Sequence, residues 1–235
     1  MVTLAVENYR SLRHLVVPLA GLNVVTGANG SGKSSLYQAL RLLADAARNG
    51  AVAALAREGG LPSTLWAGPE KTGRSVREGR YPVQGTVRTK AVGLRLGFAG
   101  DDFGYAIDLG LPAGGGQTAF ALDPEIKRES IWSGPALRPA ALLTPRPASL
   151  IVLNEPETSL HPELLPPLAQ LITGAAARSQ IIAVSHSRLL IDALQRATEE
   201  AGARVNTIEL TKEFGETRIV GQRPLDEPVW HWPKR

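Results

Sequence analysis

Gly27-Ala28-Asn29-Gly30-Ser31-Gly32-Lys33-Ser34-Ser35 keeps the spacing G-x-x-x-x-G-K-[ST]. That spacing suits wrapping backbone around a phosphate. Glycines let the chain turn tightly and keep Cβ atoms away from an anion, so N–H groups can point inward. A helix opening at Lys33 adds unsatisfied N–H groups and the positive end of its dipole. Lys33 is expected to reach the β- and γ-phosphates, and Ser34 to set its hydroxyl on Mg²⁺. The stretch reads as a nucleotide site.

Two further stretches deliver polar residues at the ends of apolar runs. Leu150-Ile151-Val152-Leu153 leads to Asn154 and Glu155, and Ile181-Ile182-Ala183-Val184 leads to Ser185 and His186. Strand tips of an open parallel sheet converge on the ligand crevice. A carboxylate there can serve as general base on an attacking water, or orient it. An imidazole there can hydrogen-bond the γ-phosphate or that water. Glu155 and His186 are therefore the catalytic candidates.

The elements that must position these residues follow from patterning. Strands are expected over 2–6, 15–19 and 22–26, the last feeding the glycine loop. A helix runs from about Lys33 to Arg48, stopped by Asn49-Gly50, and a second covers 51–57. Residues 62–85 read as loop. Strands over 87–98, 104–111 and 118–122 make a β-rich middle, with Gly100-Asp101-Asp102 as a hairpin turn. The span 129–149 is the least regular, because Pro135, Pro139, Pro145 and Pro147 leave room for at most a short helix over 136–143. Residues 150–153 and 180–185 read as buried strands of a parallel sheet, each followed by a helix, over 162–177 and 187–201. A terminal hairpin over 205–210 and 217–220 closes the pattern.

Composition sets the bounds. At 235 residues one sizeable α/β domain is expected. The net charge of +4 permits contact with nucleic acid without requiring it. There are no cysteines, which excludes disulfides and thiolate metal sites and suits a cytoplasmic protein. No signal-peptide pattern and no run long enough to cross a bilayer is present, so no membrane is expected. Arg74, Arg77, Arg80, Arg88 and Lys90 around Tyr81 read as a solvated face diluted by Glu70 and Glu78. Trp230, His231 and Trp232 read as a cap on a core edge.

Taken as a set, Glu7 to Leu12, Gly27 to Ser35, Asn154-Glu155-Pro156-Glu157-Thr158-Ser159-Leu160-His161-Pro162 and Val184-Ser185-His186-Ser187 resemble the ABC-type ATPases of the RecF/SMC/OLD-like group. The resemblance implies an α/β P-loop NTPase of ABC type, with a mostly parallel sheet flanked by helices and an antiparallel β-rich lobe. It implies ATP and Mg²⁺, with Glu155 as catalytic base, His186 as switch histidine, Ser159 in a D-loop facing a partner subunit, and Arg10 near nucleotide phosphate. Structurally, Arg10 could equally pair with a nearby carboxylate. The resemblance also implies a homodimer closed around nucleotide, with DNA or a partner effector protein as further partners, in repair or phage defence.

Three departures accompany it. Asn154 stands where the family pattern has Asp, so Mg²⁺ would be held by Ser34 and, through water, by Asn154. The signature motif is represented at best by Trp132-Ser133-Gly134-Pro135, and Pro135 lacks a donor N–H. The family's long helical insert is missing, and Gln84 is only a candidate for the Q-loop. The expected organisation is one domain over 1–235: a nucleotide core of 1–60 and 150–221, a β lobe of 85–125, and a reduced signature region of 129–149. The alternative is a catalytically impaired nucleotide-binding module that acts through partner contacts. A nucleotide kinase, lacking an arginine-rich lid here, is disfavoured.

Overall fold

In a computed structural model of the chain, residues 1–68, 92–112, 123–133, 150–158, 160–223 and 225–232 are described. The first hairpin pairs β1 (Thr3–Tyr9) with β2 (Leu12–Pro18) across a turn at Arg10-Ser11. Next come β3 (Leu22–Gly27), α1 (Lys33–Asn49), α2 (Ala51–Arg57) and the short α3 (Leu61–Thr64). The middle supplies β4 (Leu94–Ala99), β5 (Phe103–Gly110) and β6 (Glu125–Ser133). The last third runs β7 (Leu150–Asn154), α4 (Leu165–Ala176), β8 (Gln180–Val184), α5 (Arg188–Glu200), β9 (Val205–Glu213) and β10 (Glu216–Ile219).

These strands form two five-stranded sheets. The first is antiparallel, in the order β2-β1-β4-β5-β6. The second, β10-β9-β3-β8-β7, is parallel except for the terminal β9–β10 hairpin. The fold is thus the expected α/β class, with the antiparallel lobe as a sheet of its own that also includes the N-terminal hairpin.

Side-chain alternation explains the layering. Val25, Ile182, Val184, Ile208 and Leu210 face a core shared with α1, α2 and the antiparallel sheet. Leu22, Val24 and Ile181 face the opposite way, onto α4 and α5. Leu36, Ala39, Leu40, Leu42 and Leu43 bury the apolar stripe of α1, whose recurrence at three and four residues marks a helix packed on one side. Asn23 is buried yet saturated. Its amide donates to the Ala20 and Ile181 carbonyls, and its oxygen accepts from Ala20 N and Asn206 Nδ2.

Three expectations differ from what folds. Residues 129–133 belong to β6, a nine-residue strand at the edge of the antiparallel sheet. Both of its faces are largely exposed and Trp132 is the one buried residue along it, so the alternation that marks a half-buried strand is weak. Trp132 and Ser133, the start of the proposed signature motif, therefore lie in a strand; Gly134 and Pro135 are outside the described residues. β7, expected to be buried on both faces, is the outer strand of its sheet among the described residues, with Ile151 exposed. The helix expected over 162–177 opens as a 3-10 turn at Pro162–Leu164 before α4. The basic cluster over 74–90, the strand over 118–122 and Gln84 lie outside the described residues. Trp230 and Trp232 do cap an edge: Trp132, Trp230 and Trp232 stack edge to face over Ala99 and Ala106.

Candidate functional site

The register of the parallel sheet brings the motifs to one edge. Val25 of β3 lies beside Val184 of β8, which lies beside Asn154 of β7. Ser185 N donates to the Val25 carbonyl at 3.0 Å and Glu155 N to the Val184 carbonyl at 2.8 Å. The three strands thus stop level, and Gly27, Ser185-His186 and Glu155 emerge together at their C-terminal ends.

The glycine loop turns through left-handed conformations that glycine adopts without strain, with φ +139° at Gly27 and +109° at Gly32. Both positions are also closed to a side chain. A Cβ on Gly27 would meet the Leu210 carbonyl oxygen at 2.3 Å, and one on Gly32 would meet Thr217 Oγ1 at 2.0 Å. Ala28, Asn29 and Gly30 are exposed at the mouth, while Ser31 is buried. Gly32 is the N-cap of α1, whose first turn carries no acidic residue; the free N–H groups and the dipole there attract an anion unopposed. Lys33 is buried, its ammonium donating to the carbonyls of Gly27 at 2.6 Å and Ala28 at 3.0 Å. The cation is held directly under the loop. Ser34 points its exposed side outward on the first turn, and Ser35 is half-buried with its hydroxyl 3.2 Å from Ser11 Oγ.

Across the edge, His186 Nδ1 stands 3.4 Å from Glu155 Oε1, both side chains partly exposed. Glu155 sits at φ +47°, an uncommon conformation for a residue with a Cβ. The turn it begins closes with Thr158 N donating to its carbonyl. Asn154 is exposed at the tip of β7.

Beneath this pair lies a contact that motif reading passed over. Ser185 is fully buried; its hydroxyl donates to Glu157 Oε1 at 2.5 Å and accepts from Ser187 N at 3.0 Å. Ser187 in turn caps α5 by accepting from Leu190 N. One hydroxyl therefore ties the turn carrying Glu155 to the segment carrying His186. Glu157 Oε2 is buried with no hydrogen-bond partner among the described residues. Glu157 and Ser185 stood inside quoted motifs, but their pairing spans 28 residues and has no local signal. Because hydrogen bonds to charged groups contribute more than neutral ones, Ser185→Ala is expected to cost about 2 kcal/mol of stability in a urea titration.

Arg10 does not stand free. At φ +49° in the first turn, its guanidinium donates to Glu58 Oε2 at 3.1 Å, and the Tyr9 hydroxyl donates to the same oxygen at 2.6 Å. Burial, and then the Glu58 carboxylate, hold the Tyr9 phenol well above its ordinary range. Burial works against the Arg10 charge, but Glu58 and Tyr9 outweigh it and leave the pKa raised. The carboxylate partner expected for Arg10 is Glu58. Ser159 lies outside the described residues.

The donors available for a metal are the Ser34 hydroxyl and the Asn154 amide oxygen, both hard oxygens of the kind Mg²⁺ takes. Among the described residues no group of three or more His, Cys, Asp or Glu could hold a metal by themselves. Such a site fits an ion that arrives with a nucleotide and keeps much of its water.

A protein-family profile described as "AAA domain, putative AbiEii toxin, Type IV TA system" matches residues 22–112 and 139–192. No curated protein matches the chain. Among solved structures the chain is similar to an SMC head bound to the C-winged helix domain of ScpA, at 12% identity and a TM-score of 0.56, covering 93% of this chain and 96% of that one. It is similar to the SMC head domain from Thermotoga maritima at 14% identity and a TM-score of 0.50, covering 94% and 98%. An SMC head with an extended coiled coil, bound to the C-terminal domain of ScpA from Pyrococcus furiosus, matches at 10% and 0.52, covering 93% and 95%. At these identities the likeness is one of fold.

Proposed function

The chain belongs to the AAA-domain family whose profile it matches and is similar in fold to SMC heads, and from that premise we propose that it is an ABC-type P-loop ATPase domain of the SMC/RecF-like group that binds Mg²⁺-ATP on Gly27 to Ser35 and hydrolyses it. The observation that carries this reading is the shared edge. Glu155 and His186, 3.4 Å apart, emerge level with the strand that feeds the loop holding Lys33.

On this reading the N–H groups of the loop and of the first turn of α1 receive the phosphates. Lys33 exchanges the Gly27 and Ala28 carbonyls for phosphate oxygens. Ser34 and, through water, Asn154 would hold Mg²⁺, which would supply neutralisation of the phosphate charge. Glu155 accepts the proton of the attacking water, and His186 hydrogen-bonds the γ-phosphate. Ser159 and a second copy of the chain complete the site, so that hydrolysis requires a homodimer. DNA or a partner effector protein reads out the ATP state. ScpA, bound to two of the similar heads, illustrates the effector kind. A cytoplasmic location suits a chain without cysteine.

The second reading, a nucleotide-binding module with impaired catalysis, draws on two observations. Asn154 brings no charge to the metal side, and Trp132-Ser133 lies in a strand where the signature motif would open a helix.

Steady-state ATP turnover with Mg²⁺, measured over a range of protein concentrations beside ATP titrations, separates the readings. A rate rising faster than linearly with concentration supports the dimeric ATPase; saturable binding without turnover supports the module. In either case Lys33→Ala is expected to weaken ATP binding by about 10- to 100-fold, the value of charge-assisted hydrogen bonds. A wild-type protein that binds no better than Lys33→Ala would overturn both.

A further inference from the structure

We propose that Thr217, in the terminal hairpin far from every nucleotide motif in sequence, is a positioning residue for the phosphate grip; this rests on the nucleotide reading above. Thr217 has no solvent exposure at all. Its Oγ1 lies 2.9 Å from the Ser31 carbonyl oxygen and 2.8 Å from Ser11 Oγ, and its backbone N–H donates to the Ser11 carbonyl at 2.8 Å. Ser11 Oγ in turn lies 3.2 Å from Ser35 Oγ. A chain of hydroxyls therefore joins three segments behind the loop: the first turn, the start of α1 and β10.

The contact with Ser31 has a directional consequence. The Ser31–Gly32 peptide is trans, so its carbonyl and its N–H lie in one plane and point in opposite directions. A Thr217 hydroxyl that donates to the Ser31 carbonyl on the protein side turns the Gly32 N–H away from the protein interior, toward the mouth of the loop. That N–H is the first donor of the α1 N-terminus. A buried carbonyl without a partner would be free to rotate with its peptide, and the donor would rotate with it.

Packing holds the same geometry from the other side. Thr217 Oγ1, Cγ2 and Cβ fill the space that a Cβ on Gly32 would occupy, at 2.0, 2.7 and 2.9 Å. The invading group is thus both a hydrogen-bond anchor and a wall. β10 itself is kept in register by pairing with β9, Thr217 opposite Lys212, and by Glu216, whose carboxylate meets Arg13 of β2 at 3.5 Å. The C-terminal hairpin is in this way a back plate for the nucleotide loop.

The test is calorimetric titration of Mg²⁺-ATP into wild type, Lys33→Ala, Thr217→Val, Thr217→Ala and Thr217→Ser, each well below its own melting temperature, with the Gly32 amide resonance recorded alongside. Val keeps the shape and Ala leaves a gap, but both remove the hydroxyl; whichever folds serves. Both are expected to lose about tenfold in ATP affinity and to shift the Gly32 amide, while Ser stays within about threefold of wild type with its Gly32 amide in place. Thr217→Val or Thr217→Ala binding like wild type overturns the proposal while leaving the nucleotide reading intact. So does Thr217→Ser as weak as the hydroxyl-free variants, because packing alone would then be at work. Wild type binding no better than Lys33→Ala removes both together.

Discussion

Glu155→Gln is expected to cut Mg²⁺-ATP turnover by about 10²- to 10⁴-fold, the range of a general base, with ATP affinity held within about threefold. Gln keeps the shape of the side chain and can still meet His186, but it cannot take a proton from water. The backbone geometry of the position is unaffected, since the uncommon φ of +47° and the bond from its N–H to Val184 do not involve the carboxylate. Binding is expected to survive because, on the proposed reading, the phosphates are held elsewhere, by Lys33 at the start of α1 and the N–H groups of the loop. Single-turnover measurements at saturating ATP read the chemical step directly. An undiminished rate would remove Glu155 from the role of base and move attention to His186, its neighbour at 3.4 Å. If the dimer closes on ATP, the variant should also accumulate as an ATP-bound dimer in size-exclusion chromatography.

The second large effect is expected at Gly32. An alanine there takes up φ +109° and drives its Cβ to 2.0 Å from Thr217 Oγ1. Backbone strain costs about 1–3 kcal/mol, and forcing an extra carbon into a filled site costs about as much again. The combined loss of about 2–6 kcal/mol is a large part of the stability of an ordinary domain. Gly30 supplies the contrast. Its φ is +79° but a Cβ there meets nothing within 4 Å, so Gly30→Ala bears only the backbone cost. Denaturant titrations should rank the two variants in that order, and Gly32→Ala should lose ATP binding even where it remains folded. Equal losses at the two positions would show that the contact with Thr217 yields without cost.

The glycine loop was legible as a tight turn because it lies in one short stretch, with Gly27 and Gly32 at positions closed to any side chain. Also legible were β3, β8 and the helices α1 and α2, whose apolar spacing and glycine stops are local signals. The level strand tips of β7 and β8 followed from their apolar runs, although β7 proved to be an outer strand; a run of Leu, Ile and Val does not reveal which of its faces meets solvent. β6 was missed because Glu125, Lys127, Arg128 and Glu129 crowd a strand that is largely exposed. The Ser185–Glu157 bond and the Thr217 anchor were not legible at all, and for Arg10 a carboxylate partner was one of two readings while its identity as Glu58 was not legible. Each joins residues distant in the chain, by 28, 48 and, for Thr217 and Ser11, 206 positions. Nothing in the neighbourhood of either partner announces the other.

The central place of β3 also bears on how the protein is made. Its flanking strands come from far later in the chain: Asn23 meets Ile181 across 158 residues and Asn206 across 183. At about 5–20 residues per second of synthesis, β3 waits roughly 8–40 s for its neighbours, an apolar strand with both edges unpaired and open to association with other chains. Such long closures also slow folding itself. The residues that would grip ATP are therefore translated well before the strands that flank them, and are assembled only once those strands arrive. A nascent or truncated chain that stops short of β8 carries the whole glycine motif and none of the walls that shape it.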